Sequence, residues 1–247
     1  MAHARGILAI ETSQARGSVA WSPDRDATPH EEPFPVGLVH GREILPRIDA
    51  LATRVPFERN EIGVVAVSAG PGSFTGARIG VAAAKGIAYA LDCGLLAISS
   101  LEVLARGVAE RSSELDDPTL PFDIAVILDA RRELLYGARF RLELDRVVRL
   151  TEDVTANAAQ FLAEVPEDIV LVGEGVETLP GVDRFRRLDA SFSTPHARIV
   201  AQVAHETAEA LATDSTPAPP EWSDPHRLIP RYLRRTAAEE AREARDE

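Results

Sequence analysis

A glycine- and proline-rich turn between an apolar strand and a long alanine-rich helix constrains this chain more than any other feature. The block spans residues 68–80 and reads Ser-Ala-Gly-Pro-Gly-Ser-Phe-Thr-Gly-Ala-Arg-Ile-Gly, directly after the apolar residues 64–67. Gly72 and Gly76 permit backbone angles and close approaches that a Cβ atom would block. Ser73 can cap the helix that follows. Such a corner fits either an anion site at a helix N-terminus or a rigid support for another element.

Two motifs that contain similar residues, the phosphate-binding P-loop and the nucleophile elbow, do not match the spacing of this block. A P-loop requires Gly-Lys-Ser/Thr five residues after its first glycine. Here Thr75 lies five residues after Gly70, and Lys85, the only lysine, lies more than two helical turns further on. The nucleophile elbow Gly-x-Ser-x-Gly fails because Pro71 stands where its first glycine belongs. These departures favour a structural turn over a ligand loop.

Composition excludes several classes of protein. The chain has 247 residues, 45% of them hydrophobic, and a formal net charge of −12. That charge argues against unaided binding of RNA or DNA, and we interpret one basic cluster (Arg227, Arg231, Arg234 and Arg235) as a solvated face. A single cysteine, Cys93, excludes an internal disulfide. The sequence contains no apolar run of about 18 residues and no signal-peptide pattern, so we expect a cytoplasmic protein without a membrane anchor.

Apolar periodicity predicts an α/β fold in two related halves. In the first half, strands are predicted at 6–11, 17–21, 34–36, 62–67 and 95–98, and helices at 41–53, 77–92 and from residue 100. In the second half, strands are predicted at 122–128, 134–144, 147–151 and 169–173, with helices at 156–164 and 196–211. We therefore predict an N-terminal lobe over residues 1–110 and a C-terminal lobe over 111–247. Residues 216–247 are predicted to form a tail that packs back on the first lobe and ends in a charged helix.

The helix after the glycine block carries too little charge for an ordinary surface helix. Arg78, Lys85 and Asp92 are its only charged residues and lie on one stripe, seven residues apart. Gly76, Gly80, Ala84, Ala88 and Leu91 form a smooth strip along another side. Burial within the chain explains this pattern, and so does an apolar surface reserved for a partner protein.

Several motifs together resemble the TsaB (YeaZ) family, and the resemblance spans nearly the whole chain. They are Ile10-Glu11-Thr12-Ser13, residues 40–46 (His-Gly-Arg-Glu-Ile-Leu-Pro), the block 70–80, Ala84-Lys85-Gly86, Asp129-Ala130-Arg131 and residues 230–234 (Pro-Arg-Tyr-Leu-Arg). The resemblance implies the duplicated actin/Hsp70/sugar-kinase-like (ASKHA) fold, with two mixed-sheet lobes covered by helices. It also implies a non-catalytic subunit that dimerises with and activates TsaD, its catalytic paralogue. The product would be N6-threonylcarbamoyl-adenosine at position 37 of tRNAs that read ANN codons.

Comparison with that paralogue implies that the metal site is lost. The resemblance places the two positions of its His-x-x-x-His pair at Ser100 and Leu104, which are poor ligands or none. His205 begins a zincin-like pattern that has Glu209 in place of the second histidine. We expect no metal, no cofactor and no catalytic residue, with Thr12 and Ser13 as weak candidates for nucleotide contact. Two carboxylates beside Gly175 would repel phosphate.

The resemblance also implies a helical interface with TsaD. The expected partner-binding residues lie on the two neighbouring helices of the first lobe: Ile44, Ile48, Leu51, Gly76, Arg78, Gly80, Ala84, Ile87, Ala88 and Leu91. Through this complex the chain would meet the ATPase TsaE, and tRNA only indirectly. The same face could form a homodimer in the isolated protein.

An enzyme in its own right, either an M22-type glycoprotease or a nucleotide-dependent enzyme, is the alternative. Asp129 at a strand end is its best acidic candidate, although aspartate in that position commonly caps a turn. His40 precedes a helix and could cap backbone donors or contact a partner or nucleotide. Cys93 is most simply a small buried residue beside a helix C-cap.

Overall fold

The computed structural model describes residues 6–35, 40–115, 120–144, 146–213, 227–231 and 233, and these form two lobes, each with its own sheet. The first half contains β1 (Gly6–Glu11), β2 (Ser18–Ser22), β3 (His30–Pro33), α1 (His40–Arg54), β4 (Ile62–Ser68), α2 (Phe74–Leu91), β5 (Gly94–Ile98) and α3 (Ser100–Glu110). The second half contains β6 (Phe122–Arg131), β7 (Leu134–Leu142), β8 (Val147–Arg149), β9 (Val154–Asn157), α4 (Ala158–Glu164), β10 (Val170–Val172), β11 (Arg186–Arg187) and α5 (Ala197–Thr213). Short 3-10 turns join several of these elements.

The two sheets repeat one topology, which confirms the predicted duplicated fold class. The first sheet has the order β3-β2-β1-β4-β5, and the second has the order β8-β7-β6-β10-β11. In each sheet the first strand pairs antiparallel with the second strand and parallel with the strand that follows the first helix. The extra strand β9 pairs antiparallel with β7.

Strand β1 is buried along its whole length because helices cover both faces of the first sheet. Leu8 and Ile10 point into a core that includes residues of α1 and α2. Ile7 and Ala9, on the opposite face, pack with residues of α5. Successive side chains of a strand point to opposite faces, so one apolar run fills two cores.

The last helix of each half packs on the other half. Helix α5 contacts β1, β2 and β4 of the first sheet, and the amide of Ala197 donates to Ser18 Oγ at 2.9 Å. Helix α3 places Leu101, Leu104 and neighbouring residues in the core of the second sheet. The predicted division at residues 110/111 therefore splits the chain in sequence but does not describe how α3 and α5 pack.

Element predictions failed mainly at short or polar strands. The strand predicted at 34–36 is observed at His30–Pro33, and Phe34 instead packs in the first core. Strand β9 was not predicted separately from α4. The predicted charged C-terminal helix, with Arg234 and Arg235, lies outside the described residues. No described helix is long and apolar enough to cross a membrane.

Candidate functional site

The glycine block packs directly against the turn that follows β1. The amide of Ser73 donates to Ser13 O at 2.6 Å, and Thr12 Oγ1 donates to Gly76 O at 2.8 Å. A Cβ at Gly72 would overlap the carbonyl of Ser13, and a Cβ at Gly76 would overlap that of Thr12. The close approaches that these glycines permit are therefore to the chain's own backbone.

Backbone hydrogen bonds also fix the first residues of the block. Gly70 O accepts from the amide of Ser100 at 3.0 Å, and Ala69 bonds the carbonyl of Ile98. Gly70 and Gly72 have φ of 103° and 156°, which side chains rarely permit. The described contacts of the block support the structural turn, and they engage the hydroxyl of the candidate Thr12 within the fold.

Glu11 is a fully buried carboxyl group beneath this turn. Its Oε1 accepts from the amide of Ser13 at 2.5 Å, while Oε2 has no hydrogen-bond partner among the described residues. Burial raises the pKa of Glu11, and the neighbouring hydroxyls of Ser13 and Ser68 offset this only in part. The folded chain therefore holds this proton more tightly than the unfolded chain does.

A cleft of about 920 Å³ separates the two lobes next to the turn. The first lobe lines it with Ser13, Gln14, Ala15, Gly72, Ser73 and Phe74, and the second lobe with Leu128, Asp129, Ala130, Arg131, Arg132, Tyr136, Glu174, Gly175, Glu177 and Thr178.

The second-lobe wall of the cleft carries charges of both signs, because Arg131 and Arg132 line it together with three carboxylates. Asp129, Glu174 and Glu177 all line the second-lobe wall. Asp129 Oδ1 accepts from the amide of Arg131 at 2.7 Å and Oδ2 lies 3.6 Å from its guanidinium, so this carboxylate caps the β6–β7 turn. The expectation that Asp129 caps a turn is confirmed.

Gln14 lines the cleft and bonds residues of the second half of the chain. In the orientation that satisfies both its amide oxygen and its amide nitrogen, the Gln14 nitrogen donates to Ser193 O at 3.0 Å and to Glu174 Oε2 at 3.3 Å. His40 Nε2 donates to the carbonyl of Gln14 at 2.8 Å and is buried. The hypothesis that His40 caps backbone donors is wrong, because its ring holds a backbone acceptor of the first-strand turn.

The positions aligned with the paralogue's histidine pair are part of the core. Ser100 Oγ lies 2.8 Å from Ser68 Oγ, and Leu104 packs among the residues of the second sheet. His205 Nε2 bonds Ser22 Oγ at 3.0 Å. Across the part of the chain that the structure describes, no three His, Cys, Asp or Glu side chains converge to hold a metal.

Most of the predicted partner-binding strip faces inward, which corrects that assignment. The residues of the strip that are buried by the chain itself are Ile44, Leu51, Gly76, Gly80, Ala84 and Ala88. The small residues of α2 let this helix lie close to β4 and the first-strand turn. Ile48, Ile87 and Leu91 are partly buried, and Arg78 is exposed. The C-cap of α2 is Asp92, with φ of 49°, and Cys93 is half-buried rather than buried.

Both α1 and α2 nonetheless expose large apolar side chains. Leu45 of α1 is 63% exposed and Tyr89 of α2 is 71% exposed, whereas most large apolar side chains of the chain are buried. Ala82 and Gly86 of α2 are exposed as well, and Phe74 at the start of this helix is 42% exposed, with the guanidinium of Arg78 over its ring. We call the exposed residues Leu45, Phe74, Arg78, Ala82, Gly86 and Tyr89 the helix face. An aromatic side chain among alanines and glycines was the available sequence signal for Tyr89.

Comparison with known families identifies the chain at this point. A family model described as TsaD, tRNA N6-adenosine threonylcarbamoyltransferase, matches residues 35–242. The chain belongs to this family.

Curated relatives and a solved structure confirm the predicted resemblance to TsaB (YeaZ). The tRNA threonylcarbamoyladenosine biosynthesis protein TsaB of Bacillus subtilis is 28% identical over 245 residues, which cover 94% of this chain and 96% of that protein. The Escherichia coli TsaB is 26% identical over 182 residues, or 72% of this chain and 75% of that protein. Solved YeaZ from Pseudomonas aeruginosa superposes with a TM-score of 0.72 and 25% identity over 92% of this chain and 99% of that chain.

Proposed function

We propose that this chain is a non-catalytic cytoplasmic subunit that binds and activates a catalytic paralogue of the TsaD type. The reaction it serves is the formation of N6-threonylcarbamoyl-adenosine at position 37 of tRNAs that read ANN codons. The B. subtilis and E. coli relatives are named as proteins of this biosynthesis, which supports the same role here. The observation that carries the proposal is an exposed apolar helix face beside a cleft without a recognisable set of reacting groups.

The cleft supports a role without chemistry. Its best acidic candidate, Asp129, is engaged as a turn cap, and the hydroxyl of Thr12 is bonded to the glycine block. The carboxylates of Glu174 and Glu177 oppose phosphate binding. The buried acid Glu11 has a raised pKa and lies beneath the turn rather than at the cleft surface.

The helix face supports binding of a protein partner. Leu45 and Tyr89 offer large apolar and aromatic area, the kind of anchor that dominates protein–protein interfaces. The small exposed residues Ala82 and Gly86 leave room on α2 for another helix to approach closely. The guanidinium of Arg78 at the end of this face adds a cation that can pair with a carboxylate of the partner.

Binding through this face would let the chain hold the catalytic paralogue in its active arrangement. Such coupling requires differential binding to the active arrangement of the paralogue but no reaction in this chain. In this proposal the ATPase TsaE and the tRNA are reached through the complex. The same face supports a homodimer when the paralogue is absent.

Reconstitution with and without this chain tests the proposal. Purified catalytic paralogue, TsaE, tRNA and the substrates are combined, and modified adenosine is quantified by mass spectrometry of digested tRNA. We expect modification only when this chain is present, and a stoichiometric complex with the paralogue on size-exclusion chromatography. Equal modification in its absence would refute the activating role.

Metal analysis and nucleotide titration of the isolated chain distinguish the proposed non-catalytic subunit from an enzyme in its own right. Stoichiometric zinc or iron, or tight ATP binding by the isolated chain, would favour an enzyme in its own right. We expect neither.

A further inference from the structure

The described part of the C-terminal segment begins on the first lobe. Leu228 is 1% exposed and packs in the core beneath α2. Its carbonyl accepts from Lys85 Nζ of α2 at 2.9 Å. The amide of Arg231 then donates to Ala69 O at 2.8 Å, at the entrance of the glycine block.

The same segment ends on the second lobe. Thr155 Oγ1 of β9 donates to Leu233 O at 3.0 Å. Arg231 Nη1 lies 3.3 Å from Asp153 Oδ2, in the loop before β9. Thr155 pairs across the sheet with Tyr136, a residue of the cleft wall. The described residues of the segment therefore contact α2 through Leu228 and the second lobe through Arg231 and Leu233.

Asp153 is the point where both lobes and the segment meet. Its side chain is 3% exposed and accepts three donors. Ser99 Oγ, from the residue before α3, donates at 2.6 Å, and Arg149 Nη1 of β8 also donates at 2.6 Å. A buried carboxylate needs such donors to remain charged.

The contact with Arg231 is the one that can be released. Its 3.3 Å bond is the longest of the three, and its side chain is 45% exposed. Without it, Asp153 still accepts from Ser99 and Arg149, so release leaves no unpaired buried charge.

We propose that residues 228–231 and Leu233 form a strap that fixes the angle between the lobes, with Arg231 as its releasable positioning residue. The strap spans one edge of the cleft, because it joins Ala69, at the start of the glycine block, to Thr155, whose cross-strand partner Tyr136 lines the cleft. Because Lys85 of α2 donates to the carbonyl of Leu228, the strap also links α2 to this edge. Only this link to a bound partner rests on the proposed function; the strap itself does not.

Hydrogen exchange of the full-length chain, read by mass spectrometry, tests the strap directly. We expect Arg231→Ala to speed exchange at least tenfold in peptides covering 69–73, 153–157 and 228–231, with β1 unchanged. Arg231→Lys, which keeps the charge, should show a smaller rise. The matched control is Arg141→Ala, because Arg141 is 47% exposed and pairs with Asp123 inside the second sheet. This control should leave the three peptides unchanged.

A second variant keeps the test decisive if Arg231→Ala fails to fold. Thr155→Val removes the bond to Leu233 without touching Arg231, and the same three peptides should exchange at least threefold faster. Wild-type exchange rates in both variants would overturn the strap, as would an equal rise in β1, which indicates general loosening.

The link to the partner has its own readout. Adding the catalytic paralogue to the wild-type chain should slow exchange in peptide 153–157 at least threefold, and should not do so in Arg231→Ala. A complex that forms without this protection overturns the link. If no complex forms, the proposed function fails, while the exchange of the isolated variants still decides the strap.

Discussion

Thr12 Oγ1 donates a hydrogen bond to Gly76 O over 2.8 Å, and this contact joins the turn after β1 to the first turn of α2. The two residues are 64 positions apart. Because Gly76 lacks a Cβ, the carbonyl of Thr12 can lie against the helix backbone at this point. The glycine block is thus a packing surface for the first-strand turn.

Gly76→Ala should destabilise the chain. The added Cβ would overlap Thr12 O, a backbone atom that can move only with β1. We expect the free energy of unfolding to fall by about 2 kcal/mol, measured by urea denaturation, even though alanine is the better helix former. Gly86→Ala is the matched control, because a Cβ there meets no atom within 4 Å. It should stabilise the chain by about 0.5–1 kcal/mol. Equal effects at both positions would contradict this role of Gly76.

Glu11→Gln should make stability less dependent on pH. Burial raises the folded-state pKa of Glu11 above its ordinary value of 4.5, so the folded state holds this proton more tightly than the unfolded state. The resulting stabilisation is complete below pH 4.5 and is lost as the pH rises through the folded pKa. The amide has no such proton to lose.

Thermal melts from pH 4 to pH 8 measure this difference. The Tm of Glu11→Gln relative to wild type should increase as the pH rises. A constant difference across the range would show that Glu11 titrates alike in both states.

His205→Gln should flatten the acid side of the stability profile. Burial lowers the pKa of His205 below its ordinary value of 6.5, and the nearby carboxylates of Asp24 and Glu209 do not outweigh burial. A lowered histidine pKa means that the unfolded state takes up the proton first. Stability from this residue is complete above pH 6.5 and falls as the pH drops towards the folded pKa.

The comparison is made by thermal melts between pH 7.5 and pH 5. Wild type should lose more of its Tm over this interval than His205→Gln does. Parallel curves would show that His205 is protonated as readily in the folded chain as in the unfolded one.

Sequence patterns were sufficient to locate the strands and helices whose buried residues recur at a regular spacing. The apolar runs of β1 and β4 and the amphipathic helix α1 were placed within about one residue at each end. The edge strand β3 was displaced because its residues, His-Glu-Glu-Pro, carry no apolar alternation. Short β9 was missed because its sequence, Val-Thr-Ala-Asn, is polar and runs directly into α4.

The orientation of α2 could not be read from its sequence. Glycine, alanine and other apolar residues occupy nearly every side of this helix, so the spacing of apolar residues alone does not distinguish its buried side from its exposed side. Ala84 was assigned outward and is fully buried, whereas Gly86, two residues later, is exposed. The side is set by long-range packing, in particular the approach of Thr12 to Gly76 and Gly80. The Asp153 cluster was missed for the same reason, since its donors lie far apart in the chain.

Gly86→Arg tests the central proposal, that the helix face binds the catalytic paralogue. A Cβ at this exposed position meets no atom within 4 Å, so the substitution would add a long cation to the face. Gly107→Arg on α3 is the matched control, because it is also a helical glycine whose Cβ would meet no atom within 4 Å. Both variants should fold with the wild-type Tm or slightly above it.

The decisive measurement is the Kd of each variant for the catalytic paralogue, with tRNA modification measured in the same reconstituted mixture. We expect Gly86→Arg to weaken binding at least tenfold, equivalent to about 1.4 kcal/mol, and to reduce modification, while Gly107→Arg matches wild type in both. A Gly86→Arg chain that binds the paralogue with unchanged Kd and supports full modification would contradict the proposal.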